Sequence, residues 1–471
     1  MAVPISIIFN KIIETSIYPK SLKKACVTPI YKSGDRSNVS NYRPISCLDT
    51  LNIIIEKLLI KRMNSFIEIN KIISDTQYGF RAGRNTCDAV LNLLHEAYKA
   101  INSSEYCGVV SLDLSKAFDT VDHDILLYKL QNYGLRGNFN SLLKSYLSER
   151  YQSVFVNNVS SESKLINIGV PQGSVIGPLL FLIYINDMPR VVDNNSKIVM
   201  YADDTSLVYS NKDIYALQNK INENLISLDS WLTANLLTLN VEKTCFIIIT
   251  LRPVPEDLNI KLKSFSLNRK DNIKFLGVTV DSKLTFKNHI NEICSKVSKT
   301  LGIMRKLNYL PSHVLLRIYF AMIFPYLIYC IEAWGSIKIT NISPLFVKQK
   351  MAIKVITSND IRTPSAPLFK DLSLLRLDQL YEFYSCIYFY KIFNMAKAPY
   401  IYDDIEQHQV DHGVSLRNRE NYRKPRVNNI KYKQSFLYSG LNLWNELSSD
   451  IRNKPNLNSF RNTLNKYLKS T

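Results

Sequence analysis

Apolar residues recur along most of this chain at helix or strand spacing, and the period changes from one segment to the next. The opening run MAVPISIIFNKIIE reads as an amphipathic helix. Val90, Leu94, Ala97 and Ile101 step by three and four after Thr86, which predicts a helix with Thr86 as its N-cap, leading into a strand over 108–114. A helix over 124–133 is closed by Gly134, and strands at 153–157 and 164–168 form a hairpin with an Asn- and Ser-rich tip at 157–163. From Ser210 onward Ile214, Leu217, Ile221, Leu225, Leu228 and Leu232 share one helix face, and a strand over 245–250 follows. Such mixed alternation predicts an α+β fold with helices backing a sheet. Beyond about residue 290 the pattern turns helical, with Ile290, Ile293, Val297, Leu301 and Met304 on one face and a second helix over 314–329. The apolar stretch 318–331 is shorter than the roughly 20 residues of a membrane span and contains Pro325, so a buried helix is expected there.

Composition adds two constraints. The 471 residues are 46% hydrophobic, ample for two to four packed domains, and 59 Lys and Arg against 40 Asp and Glu give a net charge of +19. A field of that sign draws in polyanions such as RNA or DNA, although a basic surface alone does not prove it. The eight cysteines form no C-x-x-C pair and the six histidines no zinc-knuckle spacing, so reduced, mostly buried thiols of an intracellular protein are expected. No basic region or cleavage site marks the N-terminus as a signal peptide. Near the other end, Arg417, Arg419, Arg423, Lys424, Arg426, Lys431 and Lys433 are interleaved with Tyr422 and Tyr432 and offset by Glu420. That segment suits phosphates and stacked bases, or is a solvated basic linker.

Candidate chemistry lies in carboxylates. Asp113 ends the β-branched run Val109-Val110-Ser111-Leu112, and Asp203-Asp204 stand in a short turn between apolar strands. An Asp-Asp pair between strands is by itself ordinary turn chemistry. Its company changes that. Leu112-Asp113-Leu114-Ser115-Lys116-Ala117-Phe118-Asp119-Thr120-Val121-Asp122-His123, then Gly169-Val170-Pro171-Gln172-Gly173-Ser174 through Phe181, then Tyr201-Ala202-Asp203-Asp204, resemble in order and spacing the catalytic motifs of LINE-type (non-LTR) retrotransposon reverse transcriptases. Tyr42-Arg43-Pro44-Ile45-Ser46 and Gln77-Tyr78-Gly79-Phe80-Arg81-Ala82-Gly83-Arg84 resemble fingers motifs of that family and of group II intron enzymes. Leu239-Asn240 through Lys243 and Lys274-Phe275-Leu276-Gly277-Val278 resemble its fourth palm motif and primer grip. The resemblance is close over residues 5 to 290, and the tail, including Trp444, is similar to those of jockey-like elements.

The resemblance implies a right-hand polymerase: fingers with an N-terminal extension over 1–104, a palm over 105–285 with a fingers insertion at about 125–165, a helical thumb-like domain over 286–400 and a basic C-terminal segment over 401–471. It implies RNA-directed DNA polymerisation from dNTPs on an RNA template and a DNA primer, through an RNA-DNA hybrid, with no membrane. Asp113, Asp203 and Asp204 would hold two Mg2+ ions, for which Mn2+ can substitute; carboxylate oxygens suit such hard cations. Phe118 would be the steric gate that excludes a 2′-hydroxyl, or else a packing residue. Arg81 would meet the triphosphate, or else be a solvated arginine, and Gln172 with Gly173 would face the nucleotide. Lys243 would protonate the leaving pyrophosphate, or else be merely solvated, and Phe275, Leu276 and Gly277 would form the primer grip. Asp119, Asp122 and Asp124 read instead as helix-start residues. No endonuclease precedes the first motif and no Cys-rich knuckle follows, so a separate endonuclease is expected, with residence in the nucleus and in a cytoplasmic ribonucleoprotein. A catalytically silent nucleic-acid-binding remnant and a group II intron-type maturase are the competing identities.

Overall fold

The computed structural model describes residues 2–193, 196–395, 405 and 422–470; Arg417, Arg419 and Glu420 of the expected basic segment lie outside them. Helix α1 (Ala2–Thr15) buries Phe9 and Ile12, as its amphipathic pattern requires. Strands β1 (Lys24–Tyr31) and β2 (Tyr42–Cys47) pair antiparallel, and helices α2 (Thr50–Ile69) and α3 (Thr86–Asn102) follow. The cap of α3 is Asn85 rather than Thr86. Its side chain accepts from the Asp88 N–H while Asp88 answers to the Asn85 N–H, a reciprocal pair that Thr86 one residue later has no geometry to make. After strand β3 (Tyr106–Leu112) come α4 (His123–Asn132) and α5 (Asn138–Leu147), then β4 (Arg150–Val156), β5 (Val159–Ser160) and β6 (Lys164–Ile166). The expected hairpin is present, and β4 also runs parallel to β1, so these strands complete one five-stranded sheet with β1 and β2.

A second five-stranded sheet carries β3 at its centre. Helix α6 (Gly177–Tyr184) leads to β7 (Lys197–Tyr201) and β8 (Asp204–Asn211), and helix α7 (Ile214–Ala234) leads to β9 (Cys245–Ile249). Short strands β10 (Lys261–Leu262), β11 (Phe265–Ser266) and β12 (Asn268–Arg269) follow, and the sheet order is β12-β9-β3-β8-β7. Alternate residues of β3 serve opposite faces: Cys107 and Val109 join the core containing Val90, Leu94 and Ala97 of α3, while Val110 and Leu112 join Leu217, Ile221 and Leu225 of α7. A strand buried on both faces is held in one register, which matters because Asp113 is the next residue out.

The hairpin of β13 (Asn272–Phe275) and β14 (Val278–Asp281) precedes a helical region: α8 (Lys287–Lys306), α9 (Ser312–Met322), α10 (Phe324–Ile328), α11 (Ile331–Trp334), α12 (Ile339–Ile356), α13 (Ser365–Asp371) and α14 (Leu377–Met395). The single helix expected over 314–329 is broken at Ile323, because Pro325 offers no N–H to continue α9 and is accommodated in the first turn of α10. It is also one-sided: Leu315, Tyr319, Ile323 and Leu327 are buried while Phe320, Met322 and Tyr326 are exposed. The chain ends in α15 (Phe436–Glu446), α16 (Ser449–Arg452) and α17 (Leu457–Ser470), packed on α14 through Phe389, Tyr390, Phe436 and Phe460.

Two expectations change here. Tyr422 stacks on Phe393 at 3.9 Å and Tyr432 is buried, so these rings serve packing rather than bases. Lys431 donates to the Leu284 carbonyl and to Gln434, and burial lowers its pKa to about 8. The cysteines are all free thiols, yet Cys26 and Cys47 are exposed rather than buried, because they sit on one face of β1 and β2. No helix among the described residues is long and apolar enough to cross a membrane.

Candidate active site

Strand register gathers the three aspartates. Leu112 of β3 faces Thr205 of β8, so Asp113 emerges beside Asp204, and Tyr201 pairs with Asp204 across a turn made by Ala202 and Asp203. The site lies at the ends of strands buried along their length, with side-chain tips open to solvent. Surrounding protein nonetheless crowds both carboxyls. Burial raises the pKa of Asp203, helped by the charge of Asp113; burial raises that of Asp204, helped by Asp203 and Asp113. Opposing them, the positive charges of Lys32 and Arg43 lower both.

Asp203 and Asp204, whose pKa values are raised, stand beside Asp113 as a donor set suited to a hard divalent cation, whose charge relieves the repulsion. Among the described residues no three His, Cys, Asp or Glu side chains converge closely enough to hold a metal ion as they stand. Asp113 leans instead toward Lys243, whose Nζ lies 3.8 Å from its Oδ2. Convergence on an ion therefore requires rotation of side chains, which their open tips permit. The segment carrying Lys243 is held against the β3 end by main-chain bonds: the Asn240 N–H donates to the Asp113 carbonyl at 2.8 Å and the Ser115 N–H to the Thr238 carbonyl at 2.8 Å.

The glycine-bounded loop lies beside them. The Val170 N–H donates to the Phe118 carbonyl at 2.8 Å and the Gly169 N–H to the Val121 carbonyl at 2.7 Å, lacing the loop to the turn after β3. Phe118 is half-buried and stacks on Phe181 of α6 with centroids 4.5 Å apart. On the other side the Ser46 N–H of β2 donates to the Gln172 carbonyl at 2.7 Å. Gly173 has a φ of 133°, and a Cβ there would stand 2.3 Å from the Ser46 carbonyl oxygen, so only glycine lets β2 approach. Val175 is held in turn by Glu56, a fully buried carboxylate that accepts from the Val175 N–H, from Asn52 and from Tyr146. Asp122 caps α4 as expected, accepting from the Ile125 N–H at 2.9 Å. Asp119 does not cap: its Oδ1 accepts from Gln172 Nε2, because the turn Ala117–Asp119 swings it toward the loop.

Arg81 is held within its own loop rather than solvated. Its guanidinium donates to the Ser74 carbonyl at 2.9 Å and lies 3.7 Å from Glu68 and 3.8 Å from Asp75, with its side chain 11% exposed. It ties its own loop together. The cations whose charges lower the pKa of Asp203 and Asp204 are the exposed Lys32 and Arg43, neither a candidate from sequence although Arg43 stands inside the Tyr42-Arg43-Pro44-Ile45-Ser46 motif. Phe275 is buried, and Leu276 and Gly277 form the two-residue turn between β13 and β14 with φ of 45° and 83°. Tyr329 holds that tip, its hydroxyl donating to the Leu276 carbonyl at 2.6 Å.

Comparison with known proteins fits this geometry. The family described as "Reverse transcriptase (RNA-dependent DNA polymerase)" matches residues 30–280. A probable RNA-directed DNA polymerase from transposon BS of Drosophila melanogaster is 32% identical over 80% of this chain and 43% of its own length. The RNA-directed DNA polymerase from mobile element jockey of the same species is 29% identical over 79% of this chain and 42% of its own length. The chain thus spans less than half of these relatives. Among solved structures, the apo telomerase from Candida tropicalis aligns with a TM-score of 0.41 and 12% identity, over 73% of this chain and 59% of that one. The family match covers more than half of the chain and includes all three aspartates, and the chain belongs to the reverse transcriptase (RNA-dependent DNA polymerase) family.

Proposed function

We propose that this chain is the RNA-directed DNA polymerase of a non-LTR retrotransposon, joining dNTPs to a DNA primer 3′-hydroxyl on an RNA template. The observation that carries the proposal is the meeting of Asp113, Asp203 and Asp204 at neighbouring strand ends, where the charge of Asp113 helps raise the pKa of Asp203 and the charges of Asp203 and Asp113 help raise that of Asp204. On this reading the β3 sheet is the palm, the β1–β2–β4 sheet the fingers, and the helices from α8 onward the thumb. The palm would span 105–285 with β4–β6 as a fingers insertion, and the C-terminal helices would brace the thumb.

Asp113, Asp203 and Asp204 would hold the divalent metal ions, Mg2+ in preference. When bound, such ions align the attacking hydroxyl and neutralise charge on the triphosphate. Lys32 and Arg43, whose charges lower the pKa of Asp203 and Asp204, would attract the same triphosphate, while the Arg81 guanidinium is engaged with its own loop. Phe118, rigid against Phe181, walls the sugar and excludes a 2′-hydroxyl. Gln172 and Gly173 present a close backbone approach to the nucleotide, with Asp119 orienting the Gln172 amide. Lys243, whose Nζ lies 3.8 Å from Asp113 Oδ2, would give a proton to the leaving pyrophosphate. Phe275, Leu276 and Gly277 support the primer end, and RNA-DNA hybrid would lie against the basic surface.

The test is primer extension by the purified chain on poly(rA) with oligo(dT), Mg2+ and dTTP, beside an Asp203→Ala variant. Metal-dependent extension lost in the variant is the expected result. Extension that survives in Asp203→Ala, or none in the unaltered chain, overturns the proposal.

A further inference from the structure

The Asp203-Asp204 turn is not held by its own hairpin alone. Residues 76–79 run along the outer edge of β7: the Met200 N–H donates to the Thr76 carbonyl at 2.9 Å, and the Tyr78 N–H donates to the Met200 carbonyl at 2.8 Å. Gln77 faces Met200 in parallel register, and its side chain is buried at 2% exposure. From there Gln77 Oε1 accepts two hydrogen bonds, from the Gly79 N–H at 2.8 Å and from the Ala202 N–H at 2.9 Å. Two main-chain donors converging on one atom identify it as the carbonyl oxygen of the amide. The Nε2 of Gln77 has no hydrogen-bond partner among the described residues, so the oxygen is the end that is used.

What that oxygen holds is the residue before the carboxylates. Ala202 has a φ of 56°, a left-handed conformation that is strained for a non-glycine residue, and it is 3% exposed. Its amide is buried, and without Gln77 it would lose the hydrogen bond that this conformation points inward. Gly79 completes the contact, since a Cβ there would stand 2.7 Å from the Ala202 nitrogen.

We infer that Gln77 is a positioning residue for catalysis: its side-chain oxygen pins the Ala202 amide and thereby fixes the direction in which Asp203 and Asp204 leave the turn. The inference rests on the proposed role of those aspartates, and a purely structural role for Gln77 is the competing account. It predicts that the acceptor oxygen, and not the amide as a whole, is required.

Two measurements on the full chain test it. Amide hydrogen exchange of the metal-free protein reads the clamp directly: Gln77→Leu should speed exchange at Ala202 at least tenfold, while Gln77→Glu, which keeps an acceptor oxygen, should stay within threefold of the unaltered chain. In the poly(rA)/oligo(dT) assay Gln77→Leu should lower kcat at least tenfold with the KM for dTTP within threefold, and Gln77→Glu should restore most of the loss. Gln77→Asn, which withdraws the oxygen by one methylene, replaces Gln77→Leu should that variant fail to fold. The inference is overturned if exchange at Ala202 is unchanged, if kcat is unchanged despite faster exchange, or if Gln77→Glu is as impaired as Gln77→Leu. An inactive unaltered chain would refute the polymerase proposal, and the inference with it, while the exchange result would still show whether the clamp exists.

Discussion

Gln172 Nε2 donates to Asp119 Oδ1 at 2.8 Å, a bond that couples the glycine-bounded loop to the turn following β3. Burial raises the pKa of the Asp119 carboxyl, and the Gln172 bond and the charge of Lys116 oppose that rise. A hydrogen bond to a charged partner contributes about 1.5 to 3 kcal/mol, so Asp119→Ala should raise the KM for dNTP about tenfold or more. Steady-state kinetics should show kcat little changed; an unaltered KM would detach Asp119 from nucleotide positioning.

The Phe118 ring owes its orientation to Phe181, with which it stacks at an interplanar angle of 27°. Phe118→Ala should raise the ratio of rNTP to dNTP incorporation at least tenfold, measured as kcat/KM on the same template. Sugar selectivity that survives the substitution would leave Phe118 a packing residue. Loss of the aromatic pair should also lower stability by about 1 kcal/mol beyond the area exposed.

At Gly173 a methyl group is expected to do more harm than the removal of any exposed side chain nearby. Gly173→Ala would force a Cβ against the Ser46 carbonyl at a φ of 133°. Either β2 moves from the loop or the loop moves from Phe118, and extension activity should fall more than tenfold with a lowered Tm. Activity equal to that of the unaltered chain would show that the approach of β2 is not needed.

Lys32 and Arg43 separate two accounts of triphosphate binding. Replacing either by Gln should raise the KM for dNTP about tenfold, with a steeper effect at low salt, because each removes a charge whose field reaches Asp203 and Asp204. Arg81→Gln should instead lower Tm, since its guanidinium is engaged with Ser74, Glu68 and Asp75. The reverse pattern would return the triphosphate role to Arg81.

A pH effect on stability should come from His289. Burial lowers its pKa to about 4 from an ordinary 6.5, with Glu292 raising it and Lys296 and Lys274 lowering it. Its Nδ1 accepts from the Thr279 N–H at 3.3 Å, a bond only the neutral ring makes on that nitrogen. The unfolded chain protonates His289 below about pH 6.5 while the folded chain does not, so stability falls as pH drops from 6.5 toward 4, by up to about 3 kcal/mol. Urea unfolding at pH 7 and pH 5 should show this slope in the unaltered chain and a shallower one in His289→Gln.

Periodicity and motif order made much of this protein legible in its sequence. The helix faces of α3, α7 and α8 follow from spacings of three and four residues, because burial of one face is what those spacings encode, and the β3 strand and the β4–β6 hairpin from their β-branched runs and turn residues. Asp113, Asp203 and Asp204 were visible as acids at strand ends, and their company marked them as more than turn residues. Tertiary structure alone decided how these parts meet. Whether Lys32 and Arg43 or Arg81 face the carboxylates depends on how one sheet packs against another, which no local pattern records. Asp119 looked like a helix-start residue until a turn aimed it at Gln172, and Gln77 was one letter of a motif until the edge of β7 brought its oxygen to Ala202. Local spacing determines which face of an element is buried; only the packed chain determines which polar atoms, distant in sequence, come within 3 Å of one another.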